Sequence, residues 1–319
     1  MMGKDATGRD ASRAASTQAR QAEGGQSVEA AAPAKVNLYL HVLGRRADGR
    51  HSLDGLVAFA GVGDTVTVTA TDAPAPSLRI TGPMAKRTPA GPDNLVLRAA
   101  SELARRVGRA PGVAIALVKR LPVAAGLGGG SSDAAASLKA LAALWGLDSD
   151  DDRVVDVGRG LGSDVPVCLF ARPAYLGGAG EIVEAGPRMP PVWLVLANPG
   201  CAVSTAAVYA AREGPFSTPA RLERAPQDAA ELSRMLAARR NDLAAPARSL
   251  APAIDEVLTA LEGRPGALLA RVTGSGATCF ALFARRARAE AAASELARTR
   301  PAWWVRAAPL LSDARKPGI

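Results

Sequence analysis

The sequence predicts a mixed α and β chain built in two lobes, and three observations carry that reading. Its 319 residues, 48% of them hydrophobic and 22% charged, can bury a substantial core and exceed the size of one ordinary domain. Apolar residues alternate with a period of two in some segments and follow the helical period in others. No segment repeats at a fixed interval, which excludes solenoids and propellers.

Taken along the chain, residues 1–30 read as a disordered leader. No large apolar residue lies between Met2 and Val28, and the charges there are balanced. Asp5, Asp10 and Glu23 argue against a mitochondrial presequence. Order is expected from Pro33. Over residues 35–42, Val36, Leu38, Leu40 and Val42 alternate with Asn37, Tyr39 and His41, which predicts a half-buried strand with Asn37 on the same face as Lys35. Asp48-Gly49 marks a turn, after which residues 56–59 and 65–69 read as further strands. Residues 94–107 have the pattern of an amphipathic helix closed by Gly108, and 113–118 that of a short strand. A second helix follows, with Ala134, Leu138, Leu141 and Trp145 on one face, Ser131 or Ser132 as its N-cap and Gly146 at its end. A buried strand is expected at 193–197, with a lobe boundary just before it, so that the lobes span 31–187 and 188–319. The second lobe shows helical patterns at 229–245 and 254–261, a strand-turn-strand at 271–283 and an alanine-rich helix at 288–298.

Charge and cysteine usage narrow the function. The formal net charge is +9, and Lys4, Arg9, Arg13 and Arg20 in the leader are cancelled by Asp5, Asp10, Glu23 and Glu29, so the excess belongs to the body. A positive body suits an anionic partner, either a nucleic acid or a phosphorylated small molecule. Aromatic residues make up 4%, too few for many base-stacking platforms, which disfavours nucleic acid. Cys168, Cys201 and Cys279 form no CxxC pair, which argues against a disulfide framework and a zinc cluster and for a reducing compartment. No apolar run approaches the ~20 residues that span a bilayer, so a soluble cytoplasmic protein is expected.

The most informative segment lies between the strand at 113–118 and the second helix. It reads Pro122-Val123-Ala124-Ala125-Gly126-Leu127-Gly128-Gly129-Gly130-Ser131-Ser132. Glycines without side chains let backbone N–H groups converge on a ligand, and a helix start carries about half a positive charge, so phosphate is the natural guest. The competing reading is a sharp turn that needs glycine only for its geometry. The loop lacks the GK[ST] ending of a P-loop and the spacing of GxGxxG, and the chain has no HRD or DFG signature.

Four motifs in order resemble the galactokinase, homoserine kinase and mevalonate kinase superfamily, the GHMP kinases. They are Pro33-Ala34-Lys35-Val36-Asn37-Leu38, the loop 122–132, Gly162-Ser163-Asp164-Val165-Pro166 and Thr273-Gly274-Ser275-Gly276-Ala277. The opening 33–42, Asp48-Gly49-Arg50-His51 and the triple-glycine loop are most similar to members that act on a cytidine diphosphate conjugate of methylerythritol in the non-mevalonate route to isoprenoid precursors.

The resemblance implies an α+β, two-lobed fold: an N-terminal ATP-binding lobe, a C-terminal ferredoxin-like lobe and an active site between them. It implies transfer of the γ-phosphoryl group of ATP, with Mg2+, to the 2-hydroxyl of the methylerythritol unit. Asp164 matches the catalytic aspartate that accepts the hydroxyl proton, and Lys35 the cation beside it. Taken singly, a lysine on an apolar strand can simply snorkel and an aspartate after Gly-Ser can simply cap a helix. Residues 122–132 would bind ATP, with Ser132 the better contact to phosphate or the magnesium shell. Asn37, Arg50, His51, Tyr209, Thr273, Gly274 and Ser275 would bind the acceptor, with Asp133 a secondary candidate near the substrate or lysine. The turn at 273–276 also reads as a hairpin that merely needs glycine. The family commonly has tyrosine where this chain has Arg50, and a cytosine sandwiched between Arg50 and Tyr209 is the expectation. A monomer or homodimer with no nucleic-acid or membrane partner is implied. The alternatives are another GHMP small-molecule kinase, of mevalonate-pathway or homoserine type, and a non-enzymatic nucleic-acid-binding protein.

Overall fold

The computed structural model describes residues 18–22 and 25–311. Strand β1 (Gln18–Ala22) pairs antiparallel with β2 (Gly25–Arg45), which forms a long hairpin with β3 (His51–Ala70). β4 (Ser77–Thr81) leads to α1 (Leu95–Val107) and β5 (Val113–Val118). Helices α2 (Gly129–Trp145), α3 (Asp152–Leu161) and α4 (Val165–Phe170) follow, then β6 (Ala174–Gly177) and β7 (Ile182–Ala185). The rest of the chain is β8 (Trp193–Asn198), α5 (Thr205–Ala210), α6 (Ala229–Ala237), α7 (Ala244–Leu250), α8 (Ala253–Glu262), β9 (Ala267–Val272), β10 (Cys279–Phe283), α9 (Arg286–Thr299) and β11 (Trp304–Leu311).

Strands run in the order β1-β2-β3-β11-β8-β10-β9, with β5 on the far half of β3 and β4 parallel to β5. The last four strands of the path are antiparallel, with helices between β8 and β9 and between β10 and β11, the split βαβ arrangement of a ferredoxin-like unit. The link between the lobes is short: Leu310 and Leu311 of β11 pair with Ala60 and Phe59 of β3. Helices α1 to α4 pack Leu103, Leu138, Leu141 and Val154 onto one side of β2, β3 and β5, while α7 to α9 cover the C-terminal strands with Ala247, Ile254, Val257 and Leu296.

Local chemistry explains the boundaries. Asn94 caps α1 by accepting from the Val96 N–H at 2.9 Å, and Gly108 ends it in the left-handed region, φ 67°. Four expectations change. Residues 18–22 and 25–30 are strands rather than leader, because Val28 and Ala30 are buried against β3; alanine at alternate positions is a weak apolar signal. Residues 1–17 and 23–24 lie outside the described chain. The segment 35–42 is buried on both faces instead of one, since β2 runs where cores from both lobes meet. Residues 56–59 and 65–69 belong to one continuous strand, β3, whose register with β2 shifts at Pro33/Ala34 opposite Gly61 to Gly63. The helical pattern at 229–245 is broken into α6 and α7, with Arg271 donating to the freed carbonyls of Leu236 and Arg239 at 3.0 and 2.8 Å.

Leu138 on α2 is fully buried in the N-terminal core. Leu138→Ala is expected to cost about 2–5 kcal/mol, read as a lower urea midpoint at unchanged slope.

Candidate active site

A cleft of about 1400 Å³ separates the lobes, larger than one small ligand requires. Its floor is the glycine-rich loop. The chain leaves β5, turns through Ala124, Gly126 and Gly128 with φ of 52°, 74° and 61°, and enters α2 at Gly129. Two neighbours fix that path: the Lys35 N–H donates to the Leu127 carbonyl at 2.9 Å, and the Thr278 N–H to the Ala125 carbonyl at 3.2 Å. A Cβ on Gly126 would stand 2.5 Å from the Thr273 carbonyl oxygen, so glycine is required there by close approach as well as by φ.

Lys35 and Asp164 meet across the cleft, Nζ to Oδ2 at 2.7 Å, although 129 residues separate them in sequence. The lysine is buried and the aspartate side chain 35% exposed. Asp164 stands at the N-cap of α4 without making a capping bond, so its carboxylate is free to face the cleft; Pro166 helps start the helix. Asn37 lines the same wall as Lys35.

At the other end of the cleft, the rings of His51 and Tyr209 stack with centroids 5.0 Å apart and planes inclined by 20°. His51 heads β3, and its cross-strand neighbour on β2 is Arg45. Burial, then Arg45 and Arg212, hold the His51 imidazole below the ordinary histidine value. Burial, with the Asp164 carboxylate adding to it, pushes the Tyr209 phenol up to about 12.

The structure brings Pro122, Val123, Ala124, Ala125, Gly126, Gly128, Gly129, Gly130, Ser131, Gly274 and Ser275 to the cleft as expected. Three expectations are corrected. Leu127 contributes only its carbonyl, because its side chain is buried in the core between the lobes. Ser132 lies in the first turn of α2, not at its cap, and its hydroxyl donates to the Pro33 carbonyl at 2.6 Å, away from the cleft; Gly128 occupies the cap. Thr273 is fully buried, its Oγ1 accepting from the Asn37 N–H at 2.9 Å, so it braces β2 against the 273–278 turn. Arg50 also lines the cleft, its exposed guanidinium held by Asp48 at 3.1 Å, while Tyr209 stacks on His51. Asp133 lines the cleft too, and its carboxylate accepts from Lys119 rather than Lys35.

Sequence reasoning missed Asp64 and Lys119. The Lys119 ammonium sits 2.5 Å from Asp64 Oδ2 and 2.6 Å from Asp133 Oδ2, and all three groups are buried. Burial disfavours the ammonium, but the two carboxylates outweigh it and Lys119 is raised. The available signal was position: a lysine directly between an apolar strand and the glycine loop.

The N-terminal and C-terminal models of the GHMP kinases match residues 94–172 and 220–302. The chain belongs to the GHMP kinase family. Its curated relatives include proteins named 4-diphosphocytidyl-2-C-methyl-D-erythritol kinase: one from Paramagnetospirillum magneticum is 51% identical, covering 88% of this chain and 98% of the relative. Another from Rhodospirillum rubrum is 48% identical, covering 91% and 95%. A crystal structure of 4-(cytidine 5'-diphospho)-2C-methyl-D-erythritol kinase superposes with a TM-score of 0.73 at 36% identity, covering 88% of this chain and 98% of that one. Homoserine kinase from Cytophaga hutchinsonii, at TM-score 0.70 and 18% identity over 92% and 98%, shares the fold.

Two outcomes are expected. Gly126→Ala should weaken binding of an ATP analogue by about tenfold or more in calorimetry, since both φ and the Thr273 carbonyl exclude a side chain. His51 should titrate below 6.5 by NMR, and Tyr209→Ala, which opens the ring to water, should move it back upward. Between the lowered and ordinary values the unfolded chain binds more protons, so this contribution to stability is present above the ordinary value and lost as pH falls through the lowered one.

Proposed function

We propose that the chain is an ATP-dependent kinase that phosphorylates the 2-hydroxyl of 4-diphosphocytidyl-2-C-methyl-D-erythritol, a step toward isoprenoid precursors by the non-mevalonate route. The observation that carries the reading is the Lys35–Asp164 pair at 2.7 Å, in a cleft that also holds the glycine-rich loop and the His51–Tyr209 stack. Relatives of that name, matched over most of their length, support the choice of acceptor.

In this reading the amides from Gly126 to Ser131 take the triphosphate at the start of α2. Asp164 accepts the proton of the attacking hydroxyl through the oxygen not held by Lys35, and the Lys35 ammonium offsets charge on the oxygen that becomes an alkoxide. Little covalent work falls to the protein; alignment of hydroxyl and phosphorus provides most of the acceleration. His51 and Tyr209 receive the cytosine, the imidazole nitrogens reading its polar edge and the exposed side of the stack its face. Asn37, Gly274 and Ser275 line the path between the two ends.

Mg2+ fits this site as a companion of ATP. Among the described residues no three acidic, histidine or cysteine side chains cluster as a metal cage, and Ser131 offers a hydroxyl oxygen beside the loop, the sparse protein contribution magnesium takes when phosphates provide other ligands. Bound, it neutralises phosphate charge. The accompanying assignment is a monomer or homodimer acting in the cytoplasm; no described helix is long and apolar enough to cross a membrane.

A coupled ATPase assay offering the cytidine diphosphate conjugate beside mevalonate and homoserine tests the reading. Turnover is expected with the first, its product carrying phosphate on the 2-hydroxyl by phosphorus NMR; turnover restricted to mevalonate or homoserine would overturn it. Asp164→Asn should lower kcat by about 10²–10⁴ with both Michaelis constants nearly kept, and near-normal turnover would remove Asp164 as the base.

A further inference from the structure

The buried chain Asp64–Lys119–Asp133 takes no part in the chemistry above, yet it sits where the glycine-rich loop begins and ends. Asp64 is on β3. Its Oδ1 accepts from the N–H groups of Arg120 and Leu121, at 2.5 and 2.8 Å, where the chain enters the loop. Asp133 is in the first two turns of α2, where the chain leaves it. Lys119 bridges them with Nζ at 2.5 and 2.6 Å, so the two ends of a fourteen-residue excursion, 120–133, are drawn to a single ammonium. The same Nζ lies 3.1 Å from where a Cβ on Gly129 would stand, directly against the first helical residue of α2. The other Asp133 oxygen, Oδ1, is buried with no hydrogen-bond partner. An orphaned carboxylate oxygen is costly to keep, and the Lys119 bond is what the rest of that carboxyl group is placed to make.

We propose that Asp133, acting through Lys119 and Asp64, is a positioning residue for the nucleotide: the ion chain fixes the mouth of the loop and presents its amides already aimed. The loop between these ends has positive φ at three positions and no regular strand or helix pairing of its own. Its order therefore comes from its ends, from the Leu127 and Ala125 carbonyl bonds and from the buried Leu121 and Leu127 side chains. A loop ordered before the ligand arrives avoids the ordering cost that otherwise subtracts from affinity. The inference rests on the nucleotide half of the proposed function and is indifferent to which alcohol is phosphorylated.

The test is calorimetric titration of the full chain with a non-hydrolysable ATP analogue, without acceptor. Asp133→Ala is expected to weaken analogue binding about tenfold, while the Michaelis constant for the cytidine substrate at saturating ATP stays within twofold. Asp133→Asn, which keeps an oxygen for Lys119, is expected to recover most of that loss. Equal affinity in Asp133→Ala and the unaltered chain overturns the inference, as does a parallel loss for both substrates, which marks general structural damage. Should Asp133→Ala not fold, amide hydrogen exchange in the unaltered free chain decides: slow exchange across 122–131 supports preorganisation, and fast exchange slowed only by nucleotide overturns it. No analogue binding by the unaltered chain would instead strike at the proposed function.

Discussion

The site is organised around the two engagements of Lys35. Its backbone N–H holds the Leu127 carbonyl of the glycine loop, and its ammonium holds Asp164 on α4. One residue of a buried strand thus fixes the distance between the place built for phosphate and the carboxylate that faces it. An ammonium so far from water is costly by itself, and the short bond to Asp164 is what makes the burial tolerable. Because β2 is packed on both faces, Lys35 has little freedom to leave that geometry. Displacing β2 by one residue would turn its side chains to opposite faces and separate the pair.

The two ends of the cleft use different physics. The loop end is backbone: amides, a helix start and glycines chosen for what they lack. The hairpin end is side chain: a stacked His51 and Tyr209 with Arg45 and Arg212 near them, a setting that disfavours the protonated imidazole and leaves planar recognition available. Thr273 ties β2 to the loop without lining the cleft, since its hydroxyl takes the Asn37 N–H while its carbonyl stands where a Gly126 side chain would be. Such a brace explains why a threonine and a glycine turn occur together in the C-terminal lobe.

What could be read from the residues was what depends on spacing. The alternation from Val36 to Val42, the glycine loop and the aspartate after Gly162-Ser163 all placed Lys35, Asp164 and the loop correctly. Side-chain direction within a motif was not legible. Ser131 and Ser132 are neighbours of the same type, yet one faces the cleft and the other bonds to Pro33, because the left-handed turn at Gly128 sets the helix phase. Leu127 and Thr273 likewise serve through backbone or buried contacts that a motif cannot distinguish from ligand contacts. The Asp64–Lys119 bond spans 55 residues, and no local pattern predicts a partner at that range. The pairing of Arg50 with Asp48, two residues away, is likewise a side-chain choice that the motif does not show. The strand at 25–30 was hidden by alanines whose burial comes wholly from tertiary contacts.

The strand that joins the lobes is the last of the described strands in sequence. β11 lies between β3 and β8 in the sheet, and Trp304 at its start donates its indole N–H to the Arg120 carbonyl at the stem of the glycine loop, 3.1 Å away. Hairpins and helices of the first lobe can assemble from local contacts, but the sheet cannot close until β11, which follows the other described strands in sequence, is in place. Native pairing over such sequence separation is slow, and until it forms the edges of β3 and β8 are open to foreign strands. The bridge from β8 to Phe59 and Ala60 of β3, and with it the seating of Trp304 against the stem of the loop, therefore waits on a contact that no local segment can make.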